Sequence, residues 1–325
     1  MKKIIGYLIL ITINYLVISL IVFTFSYTSL VNNKTYDLLW IKYIQKKLYF
    51  SGVRKLWNID PNCSRYDKDL LYAPLEGECK FSNPEFQTTL NFDKYRRLNL
   101  TDDNINEKEK IIITLGDSFT MGWGVENDET FAYNLQRIIN QKILNLGVAS
   151  YGTVREIKRL KLNKFYEQAK TIIIQYHVND IYENKSLDIS KSYSKEDYDT
   201  YFSSRENNTN KIIYILRYYK KSFRLLFSHI NDIIFKKKEI HNLNTHLEYL
   251  EKIINQNLKN NEKRIIVFLV KEPHQNLIYK KEKNFANFEF LIIDTVKEHF
   301  FIIDDHLNVN GHKYIAKRLA NYLSK

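Results

Sequence analysis

Four short clusters carry the residue types that could do chemistry. Gly116-Asp117-Ser118 puts a serine hydroxyl directly after a β-branched run, and Asn145 to Gly152 forms a second small-residue turn. His177-Val178-Asn179-Asp180 supplies an amide beside two titratable groups, and Asp304-Asp305-His306 ends in a histidine with a carboxylate two residues before it. A carboxylate at that spacing can orient an imidazole so that its other nitrogen takes a proton from a serine. Asparagine can donate a side-chain N–H to a developing oxyanion, as can backbone N–H groups at a helix start. Each residue also has an ordinary reading. A serine after a strand is a common helix N-cap, and asparagine is a common turn residue.

The surrounding pattern says what must position these groups. Lys110–Leu115 reads as a strand ending at Gly116, followed by a helix over Glu129–Ile139. A strand over Lys142–Val148, a helix over Val154–Phe165 and a strand over Thr171–Tyr176 follow. Further on, Arg264–Val270 reads as a strand, Phe288–Lys297 as a helix, Phe300–Ile303 as a fifth strand and Gly311–Leu323 as a last helix. Apolar strands alternating with helices predict a buried parallel sheet, whose ligands bind at the carboxyl ends of the strands. All four clusters fall at such ends.

The ordered set resembles the SGNH/GDSL hydrolase family over about residues 106–325: G-D-S with later glycines (Gly122, Gly124), an N-x-x-x-x-G region, G-x-N-D, and D-x-H followed by Leu307-Asn308-Val309-Asn310-Gly311-His312. The resemblance implies a flavodoxin-like three-layer α/β/α sandwich with a central parallel sheet. It implies Ser118 as nucleophile, His306 as general base and Asp304 as its orienting carboxylate. The implied oxyanion hole combines the backbone N–H groups of Ser118 and Ser150 with the side chain of Asn179. Three departures are visible. Ser150 stands where the family has glycine, His177 replaces the glycine of G-x-N-D, and the acid lies two residues before the histidine in an Asp-Asp-His run, with Asp305 the less suitable orienter because neighbours on an extended segment face different ways.

Ahead of this region the chain is of another kind. Between Lys3 and Lys34 there is no charge, and Ile4–Ser26 is apolar enough and, at about 35 Å as a helix, long enough to cross a bilayer. No small-residue cleavage pattern follows, so we expect a retained signal anchor over 1–26 with the catalytic domain outside the cytoplasm. Residues 27–105 form a juxtamembrane basic and aromatic segment and an extension, in which the alternation Phe86–Phe92 predicts a strand or hairpin. In an exported domain Cys63 and Cys79 would pair as a disulfide; in the cytosol they would be two thiols. Residues 106–325 form the hydrolase-like domain, with a helical insertion over about 185–262. Within it, 211–238 carries eight cations against one acid and reads as a basic amphipathic helix.

Composition narrows the partners. The chain has 325 residues, a net charge of 49 − 37 = +12, 44% hydrophobic residues, 9 Gly and 4 Pro, which excludes a disordered or collagen-like chain. No recognised nucleic-acid module accompanies the positive charge, so no nucleic acid is expected. His312 opens the last helix and no second ligand cluster accompanies Asp304, Asp305 and His306, so neither metal nor other cofactor is expected. The expected partners are membrane lipid, through the first helix, and an acylated glycan or small ester. The activity the resemblance implies is hydrolysis of an acyl ester, and the expected membrane-tethered location outside the cytoplasm points to removal of acyl groups, acetyl foremost, from a cell-envelope or surface glycan. The same triad with a sugar hydroxyl as acceptor would make an O-acyltransferase, and a distorted pocket would leave a non-catalytic glycan-binding factor.

Overall fold

The computed structural model describes residues 2–99, 105–106, 109–186, 188–206, 240–258, 262–273, 275–279 and 285–325. The basic stretch at 211–238 lies outside the described residues.

The chain begins with helix α1 (Lys2–Val31), in which Lys3–Val31 has mean hydropathy 2.5 and is long and apolar enough to cross a membrane. Helix α2 (Leu39–Leu48) continues into an irregular turn at Tyr49–Val53. Two antiparallel hairpins follow. The first pairs β1 (Ser64–Asp67) with β2 (Leu71–Pro74), and the second pairs β3 (Gly77–Asn83) with β4 (Phe86–Phe92) through the turn Pro84-Glu85. Cys63 and Cys79 are joined by a disulfide that ties the start of the first hairpin to the second, with Cα atoms 5.0 Å apart.

The hydrolase-like region then alternates β5 (Ile111–Leu115), α3 (Ser118–Met121), α4 (Phe131–Ile139), β6 (Ile143–Asn145), α5 (Thr153–Lys161) and β7 (Ala169–Tyr176). It continues through α6 (Ile181–Asn184), α7 (Lys195–Glu206), β8 (Ile240–Asn242), α8 (Leu243–Asn257), β9 (Arg264–Lys271), β10 (Asn276–Ile278), β11 (Glu289–Asp294) and α9 (Val309–Leu323). The central sheet runs β6-β5-β7-β9-β11, all parallel. Counted in chain order these strands lie 2-1-3-4-5, the flavodoxin-like doubly wound order, and its switch point falls between β5 and β7.

Period-two alternation sorts β5 into two faces. Ile111, Ile113 and Leu115 pack under α5 and α8 with Val154, Ile157, Leu247 and Leu250. Ile112 packs with Phe131, Leu135, Ile315 and Leu319 of α4 and α9 on the other face. Burial on both faces explains an apolar run interrupted only by Thr114, itself buried.

The C-terminal quarter departs from the sequence reading. Residues expected to be a helix at 288–297 form edge strand β11, and the expected fifth strand at 300–303 is an irregular loop with one bridge from Phe300 to Leu307. Phe288 to Ile293 is rich in aromatic and β-branched residues, which favour a pleated surface, and β9 offers a free edge for it. A sheet that already had its fifth strand left Phe300–Ile303 free to serve as a loop.

The disulfide closes a loop of 16 residues in sequence separation. Replacing both cysteines by serine in the detergent-solubilised full chain should lower unfolding free energy by about 3 kcal/mol. Denaturant unfolding measures this, and coincident curves for the two proteins would contradict it.

Candidate active site

Ser118 starts the four-residue helix α3 immediately beyond β5. The turn is built by its neighbours: the Asp117 carboxylate accepts the N–H of Phe119 at 2.9 Å, and Gly116 has φ +150°. A Cβ at Gly116 would lie 2.1 Å from Thr120 Oγ1, so only glycine fits the approach. On the far side, a Cβ at Gly147 would lie 2.3 Å from the backbone nitrogen of Met121, which lets the loop after β6 close against α3. The Asn145 side chain donates to Thr120 O at 2.8 Å and pins the same junction.

His306 meets Ser118 from the loop before α9. Its Nε2 lies 2.7 Å from Ser118 Oγ, and its Nδ1 contacts Asp304 Oδ1. Asp304 is 1% exposed, while Ser118 keeps 8% of its surface. Burial alone would raise the Asp304 pKa, but His306, Arg54 and the Tyr49 hydroxyl outweigh it and hold the carboxyl well below the usual range. Asp304 is therefore an acceptor, which places the imidazole proton on Nδ1 and leaves the Nε2 lone pair facing the serine hydroxyl. Asp305 is turned to an ion pair with Lys46, so the carboxylate at the histidine is Asp304.

The remaining predicted residues take distinct positions. Ser150 adopts φ +64°, the left-handed conformation that its glycine counterpart would favour, and Arg155 Nη2 donates to its carbonyl at 2.7 Å. Asn179 is exposed at the carboxyl end of β7. Its N–H donates to His177 Nδ1 at 3.3 Å, while the His177 N–H donates to Asp180 Oδ2 at 3.2 Å, so the substituted histidine caps the turn that carries Asn179. His177 Nε2 lies 3.6 Å from Glu272 Oε1, and its ring is 5.5 Å from that of Phe119, which is also 5.5 Å from His306. A cavity of about 390 Å³ beyond Glu272, lined by Lys271, Pro273 and 294–298, does not include the triad.

Several contributors gave no signal in the sequence. Tyr49 donates its hydroxyl to Asp304 Oδ2, Trp123 Nε1 donates to the same oxygen at 3.1 Å, and Arg54 Nε stands 3.8 Å from it. Glu85, at the hairpin turn, accepts the backbone N–H groups of Ile302, Ile303 and Asp304 at 2.7, 2.9 and 2.7 Å. Arg97, 1% exposed, donates to the carbonyls of Met121, Gly122 and Val125. Burial lowers its pKa to about 9, which leaves it a cation at neutral pH.

His312 is structural. Buried in α9, its Nδ1 accepts the Phe131 N–H at 3.1 Å, and Asn308 caps that helix by accepting from Gly311 N.

Ser118, His306 and Asp304 thus stand in one hydrogen-bonded line at the carboxyl end of a flavodoxin-like parallel sheet. A GDSL-like lipase/acylhydrolase family model matches residues 112–319, and the chain belongs to that family. Solved structures similar to it include a protein of Desulfitobacterium hafniense described as a lipolytic protein of the G-D-S-L family, at 11% identity and TM-score 0.38, covering 65% of this chain and 98% of that one. A carbohydrate esterase whose active site displays divergent catalytic and non-catalytic binding functions matches at 11% identity and TM-score 0.35, covering 80% and 85%. A protein of Streptococcus pneumonia described as a platelet activating factor matches at 15% identity and TM-score 0.34, covering 71% and 89%. No curated protein matches.

Burial pushes the His312 pKa down to about 3 from 6.5. A group depressed on folding contributes stability that is complete above its unfolded pKa and is lost as pH falls toward the folded value. Below pH 6.5 the wild type should therefore lose on the order of 1.4 kcal/mol per pH unit from this residue. His312→Gln keeps an acceptor for Phe131 and should give a flatter stability profile between pH 7.5 and 5, read by denaturant unfolding. Parallel profiles would show that His312 is not the group responsible.

Proposed function

We propose that this protein is a membrane-anchored serine esterase that removes acyl groups, acetyl foremost, from a cell-envelope or surface glycan. The observation that carries the mechanism is the continuous line from Asp304 through His306 to Ser118, with the last contact at 2.7 Å. The hydrogen bond argues against a non-catalytic relic of the fold. The candidate span Lys3–Val31 and the pairing of Cys63 with Cys79 support a tethered domain in an oxidising compartment, the setting in which an envelope or surface glycan ester would be met.

In this reading His306 takes the Ser118 proton as Oγ attacks the ester carbonyl. The N–H groups of Ser118 and Ser150 and the Asn179 amide receive the oxyanion. Collapse breaks the ester C–O bond, the sugar oxygen leaves as a hydroxyl with the proton His306 gives it, and acyl-Ser118 remains. Water, deprotonated by His306, then attacks the acyl carbon; the free acid leaves and the serine proton is restored. Asp304 stays ionised throughout.

The test is hydrolysis of a short-chain p-nitrophenyl ester, with acetate release from an acetylated polysaccharide beside it, by the full chain in detergent. Ser118→Ala should abolish turnover, and Asn179→Ala should cost about 10²–10³ in kcat, the usual loss for one oxyanion donor. A folded wild type without turnover on either ester, or a Ser118→Ala variant as active as wild type, would overturn the proposal.

A further inference from the structure

Tyr49 and Arg54 lie far in sequence from the acid they contact, in the segment that follows the apolar helix. Tyr49 is completely buried, and burial together with the Asp304 charge raises its pKa, so the hydroxyl keeps its proton and can only donate to that carboxylate. The Arg54 guanidinium lies 4.6 Å over the Trp123 ring, the same indole that stacks on His306 at 4.9 Å and donates to Asp304. Its Nη2 is 3.5 Å from His306 Nδ1. Apolar packing reinforces these polar contacts. Phe23 and Leu30 of α1, Ile44 and Leu48 of α2, and Tyr49 form one buried cluster with Ile303, the residue before Asp304. A 30-residue helix is about 45 Å long and a bilayer core uses about 20 of its residues, so the last turns of α1 are free to pack on the domain.

We infer that the segment following the apolar helix is part of the catalytic apparatus: Tyr49 and Arg54 are positioning residues that hold the Asp304–His306 pair for attack by Ser118. The inference rests on the serine-esterase reading above and adds to it that chemistry depends on the membrane-proximal chain. Tyr49 and Trp123 occupy the Asp304 oxygen that faces away from the histidine, so the carboxylate plane is fixed and Oδ1 remains for Nδ1. Arg54 Nε stands 3.8 Å from that same Oδ2, so its charge helps hold the carboxylate in place, while its Nη2 also lies beside the His306 ring. The charged groups facing His306 are Asp304 and Arg54; the Lys46–Asp305 pair and Glu85 surround the same loop, and Phe119 and Trp123 supply the apolar walls.

The experiment is ester hydrolysis by the full chain in detergent, as kcat, KM and the pH profile of kcat/KM, for wild type, Ser118→Ala, Tyr49→Phe, Arg54→Gln and Arg54→Lys. Tyr49→Phe should lower kcat by about 10-fold at unchanged KM, the scale of one hydrogen bond to a charged group. Arg54→Gln removes a positive charge that opposes the imidazolium, so the acid limb should move to higher pH by about half a unit, and Arg54→Lys should return it. The position of that limb does not depend on how much protein is folded, so a loss of yield cannot imitate the result. Lys42→Ala, which breaks only the neighbouring pair with Asp37, should match wild type. A Ser118-dependent wild type whose Tyr49→Phe kcat and Arg54→Gln pH limb are both unchanged overturns the inference and leaves the esterase reading standing. Activity that survives Ser118→Ala overturns the esterase reading and this inference with it.

Discussion

Asp304 is an ionised carboxylate with almost no access to water, and that is the constraint around which the structure is arranged. Moving such a charge out of water is prohibitive unless donors replace the lost hydration. Five groups do so: the His306 ring and backbone N–H on Oδ1, Tyr49 and Trp123 on Oδ2, and Arg54 beside them. The same donors that make burial tolerable also leave the carboxylate one orientation, and that orientation places the histidine lone pair at the serine. Stability of the charge and geometry of the histidine–serine contact are one requirement.

Meeting that requirement recruits the residues ahead of the sheet. The hairpin β3–β4 brings Glu85 under the backbone of 302–304, and Arg97 ties the carbonyls that follow α3. Tyr72 donates to Ala149 O at 2.7 Å and Tyr151 donates back to Tyr72 O, which locks the first hairpin to the loop that carries Ser150. The extension is thus packed into both walls of the site. The doubly wound sheet supplies the strand ends, and the extension fixes the loops that leave them.

Much of this was legible in the amino-acid sequence because it is local. Ser118, Asn179 and His306 lie at strand ends or within a few residues of the turn or carboxylate that orients them, and glycines such as Gly116 mark turns that no other residue fits. Apolar runs buried on both faces announced β5, β7 and β9. The stretch 288–303 is ambiguous in the sequence because a short apolar run is compatible with either element, and the edge offered by β9 decides it. Tyr49, Arg54, Glu85 and Arg97 were not foreseeable at all. Their partners lie 24 to 255 positions away, and a tyrosine or arginine in a basic, aromatic segment has no pattern that separates a buried donor from a membrane-surface residue.

The central claim is that Ser118 is a nucleophile activated in place by this network. Reaction of the full-length protein with a fluorophosphonate, followed by peptide mapping in a mass spectrometer, tests it without knowledge of the natural ester. The account predicts a single adduct, on Ser118, that forms in the wild type and is strongly slowed in His306→Ala. A folded protein that takes no label, or one labelled on a different serine, would contradict it.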